Sequence, residues 1–464
     1  MDRKQEYEAL LQALEETPPA LEYTVQRART RKKRRRAGRI LGIPAASLAG
    51  VFTAFVVLVN TSMPFAMACG NIPGLRELTA AVALSPSLKE AVEHDYAQYI
   101  GQSQTNNGIT LELAYLILDP AQMNFFLKVT GPEEYDMYEI RAKFEDADGD
   151  ELTGCGSIMN SFGPGELTNA VSLHISDDSF RFPERMRMTC QVAGWDNTPE
   201  PGRAPEAEPG GEEYDPRDEW KPQATFTFKL SLDTSRLNDC VSIPAGDWVE
   251  VDGQKLRFSL DSYITHGRLT VEEHPDNTAS LKGLDFYLED EKGRRYENTP
   301  SNGLSALGAS YVCDTTYYDR PEHVTACLRS VTWLEEGREF VTVDLERGVA
   351  LEELPRGVQL FTHRDGEDME IALTAPYRPG KPNCCYQVAS WDYRDPEGGE
   401  HRLSSSGTLT GGYLPWDAPE EKRRRVEGFT ECLTLPDYPW DTVELGMSFS
   451  RHTTFEAPVR IHLT

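Results

Sequence analysis

IRAKFEDADG, residues 140–149, decides how most of this chain folds. Ile140, Ala142 and Phe144 alternate with charged residues, the period of a strand with one buried face. Asp146-Ala147-Asp148-Gly149 then turns the chain, because Asp can hydrogen-bond its own turn backbone while Gly takes a positive φ. The same ten-residue pattern returns as LDFYLEDEKG (284–293) and ASWDYRDPEG (389–398). Working outward, each turn ends 40 or 41 residues after a glycine that opens a strand, at Gly108, Gly253 and Gly357. Each is followed by a proline-led strand, at Phe182-Pro183, Arg320-Pro321 and Tyr438-Pro439. A last strand closes each repeat: FTFKLSL (226–232), FVTVDL (340–345) and PVRIHLT (458–464). Half-buried strands with turns at this spacing predict a mainly β protein. The expectation is three tandem antiparallel immunoglobulin-like β-sandwiches, over 104–234, 238–346 and 350–464. The Pro-, Glu- and Gly-rich segment 198–219 falls inside the first and reads as a long exposed hairpin loop.

The N-terminal side has another texture. ILGIPAASLAGVFTAFVVLV (40–59) holds twenty residues without an ionisable side chain, and a helix of that length matches a hydrocarbon core roughly 30 Å thick. Before it runs a collar of Arg31, Lys32, Lys33, Arg34, Arg35, Arg36 and Arg39; after it come Asn60, Thr61 and Ser62. Cationic flanks stay on the cytoplasmic side. The expected layout is a cytoplasmic tail (1–39), one transmembrane helix (40–62) and a membrane-proximal helical segment (63–103) broken at Ser85-Pro86. The expected location is therefore the plasma membrane, with the bulk of the chain outside it. A cleaved signal peptide would use Ala66-Met67-Ala68, but its apolar region is normally about 7–15 residues, and here it is longer, behind a 39-residue leader. The tail carries eleven basic against six acidic residues. With the whole chain at −28 and residues 40–59 uncharged, the remaining 405 residues carry −33. So acidic an exterior argues against nucleic acid as a partner and favours solubility.

Within the tail, Tyr7, Leu10, Leu11 and Leu14 recur at helical spacing as one apolar stripe. Thr17-Pro18-Pro19 interrupts it, and Leu21 and Val25 lie four apart in the next segment. Helices this short cannot bury their stripes on each other. A partner protein or the inner membrane face is expected to cover them, the alternative being a tail that only sets topology.

Catalytic and metal signatures are missing from the sequence. There is no C-x-x-C, H-E-x-x-H or G-x-S-x-G pattern, so no enzyme activity and no cofactor are expected. The acidic run Asp146, Asp148, Asp150, Glu151 tempts a calcium reading. An EF-hand loop, however, needs its glycine at position 6, and here it stands at position 4. Nine cysteines leave at least one unpaired. Cys155 with Cys190 and Cys313 with Cys327 are candidate bridges; buried free thiols beside Trp195 and Trp333 are the alternative.

PSLKEAVEHDYAQYIGQSQTNNGITLELAYLILD (86–119) resembles the start of the external domain of single-pass membrane proteins of Gram-positive bacteria. The tail motif from Thr17 to Ala28 is similar to theirs. GQKLRFSL and LEDEKGRRYENT resemble the immunoglobulin-like domain that often follows. The resemblance implies a negative effector of extracytoplasmic-function sigma factors that holds the sigma factor through its tail. Tyr7, Leu10, Leu11, Leu14, Leu21 and Val25 would then form the binding face. Such a protein would sense the envelope through its exterior, and release of the sigma factor would follow proteolysis near Ala66-Met67-Ala68 or a change in the external domains. A different reading is a cell-surface binding or spacer protein that meets another envelope protein and has no cytoplasmic partner.

Overall fold

The computed structural model describes residues 75–463 apart from 176–179, 196–220, 236, 238–239, 299–309, 379–383, 404–405, 411–412, 415–423 and 426–427. Within them the protein is mainly β, with antiparallel sheets and two short helices. The chain divides into two compact units, one ending at Asp239 and the other beginning at Cys240.

The first unit opens with α1 (Leu75–Ala81) and α2 (Pro86–Glu93). The break falls at Ser85-Pro86. Ser85 caps α2 by accepting the Leu88 amide at 3.4 Å, and Pro86 stands in the first turn, where no amide partner is needed. The strand texture begins earlier than the sequence reading placed it. Residues 97–103, assigned there to a helical segment, already belong to β1 (Ala97–Asn106), because Asp95 at φ 63° turns the chain out of α2. Then follow β2 (Ile109–Leu118), β3 (Gln122–Thr130), β4 (Met137–Asp146), β5 (Cys155–Met159), β6 (Leu167–Ile175), β7 (Arg185–Trp195) and β8 (Ala224–Ser231). They form two sheets, ordered β1-β2-β3-β6-β5 and β4-β7-β8, over one apolar core that includes Leu111, Phe125, Ile140, Met188 and Phe228. Since β7 and β8 are direct partners, from Arg185↔Ser231 to Val192↔Ala224, segment 198–219 joins neighbouring strands of one module.

The second unit holds two more apolar cores. Its first strands are β9 (Val241–Ile243), β10 (Val249–Val251), β11 (Gln254–Ser262), β12 (Gly267–Glu273), β13 (Ala279–Asp290), β14 (Arg295–Glu297), β15 (Ser310–Cys313) and β16 (Val324–Glu335). They are followed by β17 (Phe340–Asp344), β18 (Val349–Ala350), β19 (Gln359–Asp365), β20 (Asp368–Ala375), β21 (Ala389–Arg394), β22 (Glu400–Arg402) and β23 (Ser406–Thr410). The two-residue strands β24 (Tyr413–Leu414) and β25 (Arg424–Arg425) pair with each other, and β26 (Phe429–Leu435), β27 (Thr442–Met447) and β28 (Arg451–Leu463) end the series.

Here the pairing crosses the tandem boundaries expected at 238–346 and 350–464. The strand read as closing the second repeat, β17, pairs with β27 from Phe340↔Gly446 to Asp344↔Thr442, inside the sheet β18-β17-β27-β21-β22. The strand read as closing the third, β28, pairs instead with β16 in the sheet β14-β13-β16-β28. Val341 and Val343 accordingly lie in the third core, and Ile461 and Leu463 in the second. The physical reason is ladder length. β16 is twelve residues long and β28 thirteen, whereas β17 has five. Nine residue pairs join β16 to β28, and a five-residue strand offers about half as many.

The expected alternation also fails at one place. Ala389 and Tyr393 are buried, but Trp391 between them is 39 % exposed. The register steps from Ala389↔Met447 to Tyr393↔Leu445, so extra residues bulge out of β21 and carry Trp391 outward.

Candidate functional site

Tyr7, Leu10, Leu11, Leu14, Leu21 and Val25 lie outside the described residues, as do the apolar stretch 40–59 and Ala66-Met67-Ala68. Among the described residues no helix is long and apolar enough to cross a membrane. The described part nearest to them in sequence is α1, α2 and β1, and its chemistry is unusual.

β1 is the edge of one sheet of the first module and β8 the edge of the other. Two open edges are joined here by side chains. Gln98, Gln102, Gln104, Asn106 and Asn107 donate their amides to the backbone carbonyls of Asp233 (3.1 Å), Lys229 (2.9 Å), Thr227 (2.6 Å), Thr225 (3.1 Å) and Gln223 (2.7 Å). Gln98 also accepts the Asp233 N–H at 3.1 Å, and Gln104 the Thr227 N–H at 3.4 Å. A carboxamide carries the donor and acceptor of a peptide group, so these side chains stand where the next strand's backbone would. β8 is thereby shielded from pairing with another chain. Sequence reasoning missed these residues, since Gln98 and Gln102 fell in the segment read as helical and Gln104, Asn106 and Asn107 carried no apolar alternation to single them out. The signal that could have found them is Gln102, Gln104, Asn106: carboxamides repeated at every second position.

The far face of the β1–β2–β3 sheet is also buried. Tyr115, Ile117 and Phe126 point away from the module's core and are inaccessible, and α1 packs along β6 on that side, with Glu77 3.0 Å from Lys128 Nζ. Between these apolar residues sits a polar group. Asn124 Oδ1 accepts from Gln122 Nε2 (2.8 Å), Asn169 Nδ2 (3.1 Å) and Ser172 Oγ (3.0 Å). Burial pushes the Tyr115 hydroxyl up to about 12, with Tyr99 and Glu112 adding to it.

The three repeated turns share one geometry. Asp146 Oδ1 accepts the amides of Asp148 (2.9 Å), Gly149 (2.9 Å) and Asp150 (3.0 Å). Asp290 Oδ1 takes those of Lys292 (2.9 Å) and Arg294 (2.8 Å), and Asp395 Oδ1 those of Glu397 and Gly399, both 2.8 Å. Gly149, Gly293 and Gly398 have φ of 97°, 78° and 85°. The central carboxylate oxygen is thus committed to the backbone. Among the described residues no group of three His, Cys, Asp or Glu side chains is placed to hold a metal ion. At Asp395, a hydrogen bond from His401, 2.7 Å away, and the Gly399 amide hold the carboxyl below its usual range.

Cys155, Cys190, Cys313 and Cys327 are free thiols, so neither Cys155 with Cys190 nor Cys313 with Cys327 is bridged. Cys190 and Cys313 face their modules' cores, and burial pushes both thiols up, Cys190 to about 12. Cys327 is buried but lies on the other face of β16 from Trp333, which fills the second core. Glu431, 3 % exposed, is raised by burial while its carboxylate accepts the Val388 and Ala389 amides at 2.8 and 3.0 Å. It ties the two sheets of the third module together and is out of reach of a substrate.

Residues 33–131 match the model of a domain of unknown function, DUF4179. The matched stretch covers the end of the basic collar, the apolar run, both helices and β1 to β3. Comparison with curated proteins finds no match. Among solved structures, a conserved domain protein from Bacillus anthracis is similar at 12 % identity and a TM-score of 0.34, over 55 % of this chain and 84 % of that one.

Proposed function

We propose that this protein is a membrane-anchored regulator whose tail binds an extracytoplasmic-function sigma factor and whose immunoglobulin-like exterior responds to the envelope. The observation that carries this reading is the extent of the DUF4179 match. One family unit runs without interruption from the basic collar through the apolar stretch into α1, α2 and the first three strands. If that unit crosses a bilayer at residues 40–59, as this reading has it, it is suited to passing a change on one side to the other. In this reading residues 40–59 span the membrane with the arginine-rich end inside. Tyr7, Leu10, Leu11, Leu14, Leu21 and Val25 are the sigma-factor face. The helices α1, packed on β6, and α2 connect the span to the first module.

The test is capture of cytoplasmic proteins on residues 1–39, together with transcript measurements on the full-length protein. A sigma factor in the eluate, lost when Leu10, Leu11 and Leu14 are changed to Asp, and a rise of its target transcripts in that variant support the proposal. An eluate without a sigma factor overturns it in favour of a surface spacer or binding protein. A reporter placed after Val59 that is active in the cytosol overturns the topology itself.

A further inference from the structure

We propose that the second module is a strand-acceptor site and that its ligand is a segment of this same chain, Arg451–Leu463. In the first module the closing strand, β8, follows its partner β7 in the chain. In the second, the corresponding place beside β16 is held by β28, which arrives only after the third module has been completed. The third module in turn is closed by β17, the strand that follows β16. The two modules have exchanged closing strands.

The contacts show what the acceptor recognises. It takes an extended strand with apolar side chains at alternate positions near its end. Ile461 and Leu463 enter the second core, with Val459 and Phe455 packed against it. Polar anchors fix the register. At one end Ser450 donates its amide to the Trp333 carbonyl at 2.8 Å, and Arg451 Nε donates to Glu335 at 3.1 Å. Arg451 also pairs with Asp252, whose carboxylate accepts the Trp333 indole N–H at 2.9 Å. Farther along, His452 Nδ1 lies 2.8 Å from the Thr332 hydroxyl, Arg460 reaches Glu289 at 2.8 Å, and His462 Nδ1 meets the Thr325 hydroxyl at 3.0 Å. The register steps over residues 455–458, where Pro458 has no amide to donate. A strand shifted by one residue would turn Ile461 and Leu463 to solvent and lose every one of these anchors.

Two substitutions in the full-length chain, read by hydrogen exchange, separate exchanged from tandem closure. Ile461→Ala is expected to speed exchange in β13 and β16 by about tenfold or more while β20 and β26 hold. Val343→Ala is expected to do the reverse. If Ile461→Ala loosens β20 and β26 and spares β13 and β16, the strand belongs to the third module and the proposal is overturned. An equal rise in both modules overturns it too, since an emptied site loosens only its own module. Site character is then tested on the full-length Ile461→Ala chain, to which an excess of a synthetic peptide of residues 451–464 is added. Saturable recovery of protection in β13 and β16, absent with the peptide carrying Ile461→Asp and Leu463→Asp, is the expected result. No recovery with the native peptide overturns the acceptor reading.

Discussion

The first module and the second solve the same problem in opposite ways. Each ends in a sheet whose last position must be filled. The first fills it from its own chain and then seals the new edge with five carboxamides, four from β1 and one from Asn107 just after it. The second leaves the position to a strand that lies more than a hundred residues farther on and fixes it with ion pairs and a buried indole. Repeats so similar in sequence can therefore differ in which strand completes them. Length and end-anchoring of the last strand decide the outcome, more than the pattern of the strands themselves.

Four measurements would break or sharpen this contrast. The largest effect is expected from Phe228→Ala in β8, whose ring is fully buried in the first core. Removing it should cost about 3–5 kcal/mol. In hydrogen exchange β7 and β8 should loosen while β13, β16, β20 and β26 do not; loss in both units would end the claim that the first module closes itself. Next comes Asp252→Ala, which removes the shared acceptor of Trp333 and Arg451. Urea unfolding should show a loss of about 1.5–3 kcal/mol, confined to the second unit.

Gln102→Ala with Gln104→Ala deletes the middle of the amide seal. About 1 kcal/mol per bond is expected in the first module, along with self-association detectable by light scattering as the β8 edge opens. A monomer of unchanged stability would make the carboxamides ornamental. The smallest effect concerns pH. Burial, helped by Arg378, holds His452 down at about 4, against the usual 6.5. Above pH 6.5 the imidazole is neutral in both folded and unfolded chains and contributes no slope. As pH falls from there toward 4 the unfolded chain takes up the proton first, so stability drops. The melting temperature of the second unit should decline over that window, and less steeply in His452→Gln.

What could be read from the sequence was local. Ile140–Gly149 and its two copies are strand and turn in the structure because Asp and Gly settle that conformation within a few residues. Ser85-Pro86 marked a helix start for the same reason. The exchange of β17 and β28 was not legible. FVTVDL and PVRIHLT both alternate with period two, and nothing in that pattern states which sheet a strand joins. Trp391 misled because a bulge, which depends on the partner strand, breaks the alternation it was read from. The possible bridges failed differently. Spacing brought Cys313 and Cys327 into one module, but only the pleat shows that they face opposite sides of it. The carboxamide seal escaped because its partner strand is more than a hundred residues away.

The crossed strands have one more consequence. The backbone passes between the second and third modules twice, through residues 336–339 and again through 448–450. A protease that nicked either connector would leave the pair tethered by the other, and only two cuts could free the third module. Release of that module by proteolysis would need a double event, and the departing fragment would take β17 away with it while β28 stayed behind in its groove.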